Sequence, residues 1–150
     1  MRWLLLLLLC LGPHAQAQTY EDAKASALQD IVSTGFGLAL GAAELNPLGI
    51  LAVPLKFAAI EHAETLPDGE KQTAHATYSS VWRGAAVNNF CLAAMILTGG
   101  TATPVCLFLG FASGAIVWQQ SAMEREFWNL CAYERKANPE LKCVYSKPQS

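Results

Sequence analysis

Residues 30–47, DIVSTGFGLALGAAELNP, form an apolar stretch that has a carboxylate near each end. In an α-helix, Asp30 and Glu44 would lie about 21 Å apart, compared with about 30 Å for the hydrocarbon core of a bilayer. Reading every third or fourth residue from Asp30 gives one polar helix face that includes Thr34. The same face carries a pair of small residues, Gly37 and Gly41. Because small residues let another helix approach closely in lipid, we predict a membrane helix whose polar face packs against protein.

The first residues of the chain have the order of a secretory signal peptide. One basic residue, Arg2, precedes an apolar run at residues 3–11, and Ala15-Gln16-Ala17 supplies small residues for a cleavage site. We predict a signal peptide over residues 1–17 and export of the remaining chain. Its removal leaves nine basic and twelve acidic residues, a net charge of −3, with no basic patch that would bind nucleic acid.

The composition favours a membrane protein. Hydrophobic residues make up 53% of the chain and charged residues 15%, whereas a soluble domain has about 25% charged residues. After a short lead-in helix at residues 19–27, four apolar stretches follow, at residues 27–46, 48–63, 81–98 and 105–123. The polar residues 65–80 are predicted to be an exposed connection. The expected fold is all-α, with residues 18–123 as a four-helix membrane bundle of two helical hairpins.

The predicted signal peptide also fixes a topology. With an exported N-terminus, four spans give a multi-pass protein of the bacterial inner membrane whose C-terminus is periplasmic. The two cytoplasmic turns, residues 46–49 and 99–104, then contain neither Lys nor Arg, which conflicts with the positive-inside rule. This conflict leaves a soluble periplasmic helical protein as an alternative.

The four cysteines after the signal peptide have two different predicted fates. Cys131 and Cys143 lie about a dozen residues apart in the charged C-terminal segment, residues 124–150, and we predict that a disulfide staples this segment. Cys91 and Cys106 would be offset by about 9 Å in an antiparallel hairpin that turns near Thr101. We therefore expect these two to remain unpaired, buried small residues.

Ionisable and polar side chains inside a membrane cost free energy, so they are candidates for function. The predicted intramembrane polar cluster consists of Asp30, Thr34, Glu44, Lys56, Glu61, His62, Arg83 and Asn88. We expect Lys56 to pair with a carboxylate of the first helix. Arg83 is expected to pair with Asp30 or Glu61. In the predicted bundle, Asp30, Glu61, His62 and Arg83 share the outer level, and Lys56 lies deeper.

Motifs for catalysis are missing from the sequence. Neither His62 nor His75 has a second histidine at metal-ligand spacing, and Gly99-Gly100 stands without the rest of a phosphate-binding loop. Asp30 and Glu44 are too far apart to act as an acid and base pair on one bond. We therefore predict no catalytic residue, no cofactor and no metal.

The pattern Asp30-x-x-Ser33-Thr34, followed by Glu44-x-Asn46-Pro47, resembles a group of small uncharacterised bacterial multi-pass membrane proteins. Their first hairpin carries Asp-x-x-Thr-Thr and Glu-x-Asn-Pro, so position 33 differs here. The resemblance covers about the first third of the chain after the signal peptide. It implies an integral membrane helical hairpin protein and carries no reaction with it.

The function predicted from these features is that of an exported integral membrane protein, a structural or accessory subunit that packs through glycine-rich helix faces. Its expected partners are membrane lipid and other membrane proteins or a second copy of the chain. The alternative is a small transporter or an ion- or lipid-binding membrane protein that uses the buried charges Asp30, Glu44, Lys56 and Arg83.

Overall fold

The computed structural model describes residues 19–41, 48–99 and 103–146, and these residues form an all-α fold, as predicted. The predicted signal peptide and Glu44 lie outside the described residues. Five helices occur in the described ranges: α1 (Tyr20–Ala39), α2 (Leu48–Glu64), α3 (Asp68–Thr98), α4 (Thr103–Gln120) and α5 (Ala122–Ala137). The helix α3 is central, because α1 and α4 pack along it and α5 contacts its first turns, while α2 packs mainly on α1.

The helix α1 differs from the prediction at both ends. A capping box at Thr19 and Asp22 starts the helix at Tyr20, so the predicted lead-in helix and the first apolar stretch form one helix. Gly41 has a φ of 79°, in the left-handed region, and α1 ends at Ala39 rather than at residue 46. No neighbouring atom lies within 4 Å of a Cβ built on Gly41. The prediction that Gly37 and Gly41 form a packing pair on one helix is therefore wrong. Of these two glycines, Gly37 is buried on α1, and Gly41 lies beyond its end.

The predicted exposed connection at residues 65–80 is also wrong, because α3 begins at Asp68 and continues for 31 residues. Asp68 and Glu70 lie in its first turn, where their charges favour the helix N-terminus. Most buried positions of this first half are small or weakly polar, namely Gly69, His75, Ala76, Ser79 and Ser80, and Trp82 is the one large apolar residue among them. Because the buried face of this half lacks a regular series of large apolar residues, hydrophobic periodicity does not predict it.

The fourth apolar stretch ends in a corner. The axes of α4 and α5 differ by 45° at Ser121. Arg125 stabilises this corner, since its Nη2 donates to the carbonyl oxygen of Trp118 at 2.9 Å and its guanidinium lies 3.4 Å from the centre of the Trp118 ring. At the far end of α5, Arg135 Nη1 donates to Asp68 Oδ2 at 2.5 Å, which ties α5 to the start of α3.

Length and hydropathy identify no single membrane-crossing helix among the described residues, although the bent pair α4 and α5 together meets the same measure.

Two disulfides link the four cysteines. Cys131 and Cys143 are bonded, with Cα atoms 6.2 Å apart, which confirms the predicted staple. Cys91 and Cys106 are also bonded, with Cα atoms 5.3 Å apart, so the prediction that they stay unpaired is wrong. Cys91 lies seven residues before the end of α3 and Cys106 three residues after the start of α4. Measured along the hairpin axis, α4 therefore begins about 6 Å short of the level at which α3 ends. This difference brings Cys91 and Cys106 to the same level, so the predicted offset between them is absent.

Candidate functional site

A cluster of polar side chains lies where α1, α2 and α3 meet. We call it the buried cluster, and its members are Asp30, Ser33 and Thr34 of α1, Lys56 of α2 and Asn89 of α3. Asp30 is only 6% exposed and Ser33 is fully buried. Positions three and four residues after Asp30 fall on the same helix face, which explains why these α1 side chains point to one place.

Both carboxylate oxygens of Asp30 have partners in the buried cluster. Lys56 Nζ donates to Oδ2 in a close ion pair, and Asn89 Nδ2 donates to Oδ1 at 3.1 Å. The side chains of Lys56 and Asp30 are 14% and 8% exposed. The pair is neutral as a whole, and the predicted pairing of Lys56 with a carboxylate of the first helix is confirmed.

Asn89 joins α3 to this pair through its amide. Its Nδ2 lies 3.0 Å from Thr34 Oγ1 and 3.4 Å from Ser33 Oγ, in addition to its bond with Asp30. Both hydroxyl groups donate to the main-chain oxygen of Asp30, at 2.8 and 2.9 Å, so their lone pairs are left to accept. The two amide hydrogens of Asn89 therefore meet acceptors that are already oriented.

Sequence reasoning selected Asn88 and missed its neighbour Asn89. Asn88 lies about 100° around the helix, beside Gly110 of α4, and its Oδ1 is buried without a hydrogen-bond partner. Asn88 and Asn89 are adjacent and of the same residue type, so the sequence does not show which of them is part of the cluster. Only the rotation of α3 against α1 decides which one reaches Asp30, and that rotation is a property of the folded bundle.

A second group of ionisable side chains lies nearer the start of α1. Tyr20 Oη donates to Glu61 Oε1 at 2.5 Å, and this hydrogen bond to the carboxylate raises the pKa of Tyr20 above its usual value of 10.0. Tyr20 lies about 15 Å before Asp30 on α1, and Glu61 lies about 7.5 Å beyond Lys56, the partner of Asp30, on α2. The predicted common level of Asp30 and Glu61 is therefore wrong, because Asp30 lies instead at the level of Lys56.

The remaining predicted residues have separate positions. Arg83 Nη1 donates to Gln29 Oε1 at 2.6 Å, next to Asp30 in the sequence. The side chain of His62 is exposed, and its main-chain oxygen accepts from Thr65. Neither position gives a convergent site with the buried cluster.

Two buried ionisable residues, His75 and Glu124, were not predicted to be buried. His75 is 1% exposed, and its Nε2 lies 2.6 Å from Glu64 Oε1. The other carboxylate oxygen of Glu64, Oε2, lies 3.6 Å from Lys71 Nζ. His75 Nδ1 is buried and has no hydrogen-bond partner. The burial of His75 is not evident from the sequence, because the residues around it are polar and predict an exposed connection.

These arrangements favour holding helices together over chemistry on a substrate. In the part of the chain that the structure describes, no three His, Cys, Asp or Glu side chains could hold a metal ion. The buried cluster connects three helices through one carboxylate, so its geometry fixes their rotation and height relative to one another. No protein family, curated protein or solved structure matches this chain.

Proposed function

We propose that this chain is an exported integral membrane protein with a structural or accessory role, and that the buried cluster keeps its helices in register. One observation carries the proposal. The large apolar side chains point outward, and small side chains fill the contacts between helices.

The outward-facing residues are large and numerous. Phe111 is 80% exposed, Phe108 70% and Leu55 69%, and further exposed apolar side chains are Leu28, Val32, Phe36, Val81, Ile96, Leu97, Val105, Leu107 and Ile116. A soluble monomer rarely exposes so many large apolar side chains on neighbouring helices. In lipid, the same surface contacts acyl chains and costs nothing, so this distribution supports a membrane environment.

The contacts between α3 and α4 have the close spacing that glycine allows. A Cβ on Gly84 would lie 2.8 Å from the carbonyl oxygen of Gly110, and one on Gly110 would lie 2.7 Å from that of Gly84. A Cβ on Gly114 would lie 2.7 Å from the carbonyl oxygen of Ser80. Gly110 and Gly114 lie four residues apart on α4 and therefore share the face that contacts α3. Such close backbone contact is typical of helices that associate in membranes.

The buried cluster supports a structural role in preference to transport. The Asp30 carboxylate already accepts from Lys56 and Asn89, and the ion pair is neutral. Removal of one member of a buried pair is costly, whereas the complete pair serves to specify one arrangement of helices. A subunit that must present a stable apolar surface to lipid or to neighbouring proteins needs such a fixed arrangement.

Membrane fractionation of the expressed full chain tests this proposal. We expect the protein to stay in the membrane pellet after an alkaline carbonate wash, while an exported soluble marker is released. A double variant, Phe108→Asp with Phe111→Asp, places charges on the proposed lipid-facing surface and should lose this retention. Release of the unmodified protein into the wash would refute membrane residence and favour a soluble periplasmic protein.

A further inference from the structure

The two disulfides lie at opposite ends of the helix α4. Cys106 is three residues after the start of α4 and is bonded to Cys91 of α3, near the connection between the two helices. Cys131 is bonded to Cys143 beyond the other end of α4. The part of α4 from Cys106 to Gln120 is about 21 Å long, and Cys131 lies beyond it on α5.

Stable disulfides form in an oxidising compartment, and the other face of an exporting membrane is kept reducing. If α3 and α4 crossed the membrane, one end of the hairpin would face each side. One of the two disulfides would then lie near the reducing face, whichever orientation the hairpin adopted. An arrangement in which both ends reach the membrane from the oxidising side avoids this conflict.

The distribution of charge along the bundle points the same way. We use the name turn end for the end of the bundle that contains the α3 to α4 connection, and polar end for the opposite one. Residues 31–41, 48–55, 84–99 and 103–120 contain no charged side chain, and between the first two ranges the sequence contains one, Glu44. The connection at residues 99–102 is Gly-Gly-Thr-Ala. The positive-inside rule expects Lys or Arg at turns that emerge in the cytoplasm, and this turn has none.

Most basic residues of the described ranges lie instead toward the polar end. They are Lys24, Lys71, Arg125, Arg135, Lys136 and Lys142, whereas Arg83 lies midway along α3 and Lys56 is paired in the buried cluster. The ion pair of Asp30 and Lys56 lies at the level of Asn89 of α3. From Asn89 to the end of α3 at Thr98, the described helices carry no charged side chain over about 14 Å. This length is close to the hydrocarbon of one leaflet, about 15 Å, and about half of the complete core of about 30 Å.

We propose that the bundle inserts its turn end into the lipid bilayer from the oxidising side and does not cross it. This inference rests on the membrane residence proposed above. The partner of the apolar surface is then lipid acyl chains, with the polar end and the Cys131 to Cys143 staple at the exported surface. The Cys91 to Cys106 bond forms before insertion, while the turn end is still in the oxidising compartment.

Single-cysteine labelling of the full chain tests the topology. The native cysteines after the predicted signal peptide are bonded in pairs, so a cysteine introduced as Thr101→Cys at the turn end supplies the free thiol. A second variant, Ala102→Cys, guards against exchange with the native disulfides, and non-reducing electrophoresis verifies that both native bonds remain. Ser146→Cys at the polar end is the matched control. The probe is a membrane-impermeant maleimide, applied to spheroplasts and to inverted vesicles.

We expect Ser146→Cys to react in spheroplasts, and both turn-end variants to react only after detergent is added. Reaction of the turn-end variants in inverted vesicles would overturn the inference and establish a crossing. Reaction in intact spheroplasts would overturn it as well, because the turn end would then lie outside the bilayer. A protein that resists the carbonate wash in either case keeps the proposed membrane residence, so the two proposals fail separately.

Discussion

At the scale of single residues, the Asp30 and Lys56 pair has the largest expected effect on stability. Lys56→Met leaves a buried carboxylate without its cation, and we expect a loss of about 3–5 kcal/mol in the free energy of unfolding. The double variant Asp30→Asn with Lys56→Met removes both charges and should recover most of this loss. Thermal unfolding in detergent, followed by circular dichroism, measures both.

A surface lysine gives the matched control for that experiment. Lys24 lies 4.0 Å from Glu21 in an exposed pair one turn apart, and Lys24→Met should cost no more than about 1 kcal/mol. If Lys56→Met were no more destabilising than Lys24→Met, the buried cluster would not hold the helices together.

The adjacent asparagines of α3 provide a second prediction at this scale. Asn89→Ala removes the donor to Asp30 Oδ1 and Thr34 Oγ1, and we expect a loss of about 1–3 kcal/mol. Asn88→Ala removes a buried oxygen that has no partner, together with a long hydrogen bond from its Nδ2 to Asn89 Oδ1 at 3.5 Å, so it should cost less than about 1 kcal/mol. The same unfolding measurement compares the two variants, and equal losses would contradict the assignment of Asn89 to the buried cluster.

The sequence predicted the cluster's charges better than its amides. Asp30 and Lys56 stand out because an ionisable residue in an apolar stretch needs a partner, whatever the rest of the fold. Asn89 and His75 do not stand out, because their burial depends on how α3 rotates against α1 and on where α3 begins. Those two features follow from packing, which no local pattern records.

At the scale of helices, the predictions succeeded where large apolar residues form continuous stretches and failed where small residues form the contact face. The first half of α3 reads as a polar connection, although its Gly, Ala and Ser positions are buried. Similarly, the end of α1 depends on Gly41 in the left-handed conformation, and glycine composition alone does not distinguish a packing glycine from a terminating one.

The glycine contact between α3 and α4 gives a prediction at the helix scale. A methyl group at Gly84 or Gly110 would lie within 2.8 Å of a carbonyl oxygen that the opposite backbone holds in place. We expect Gly84→Ala and Gly110→Ala each to cost about 1–3 kcal/mol by forcing the helices apart. Gly35→Ala in α1, where nothing lies within 4 Å of the new atom, should instead be neutral or stabilising by up to about 1 kcal/mol.

Unfolding in detergent again measures these variants, together with crosslinking through the Cys91 to Cys106 bond, which reports whether the hairpin still closes. A Gly110→Ala variant as stable as Gly35→Ala would contradict the close packing of α3 on α4.

At the scale of the whole molecule, the all-α class follows from the sequence, because long apolar stretches separated by turns are compatible with few folds other than helical ones. The number of helices and the second disulfide do not follow, since both depend on the relative heights of α3 and α4. Those heights place one disulfide near each end of the hairpin, and this pair of bonds bears on topology more strongly than hydropathy does.

Glu44 supplies a prediction that separates insertion from crossing, and it rests on the position of this residue in the sequence alone. In a crossing bundle the turn before Pro47 is in water, so Glu44→Gln should have no effect on membrane retention. If the turn end is inserted, an ionised carboxylate there costs free energy, and Glu44→Gln should raise the urea concentration needed to release the protein from membranes. Glu70→Gln, at an exposed position of the polar end, is the control. Identical release curves for the two variants would argue for a crossing bundle.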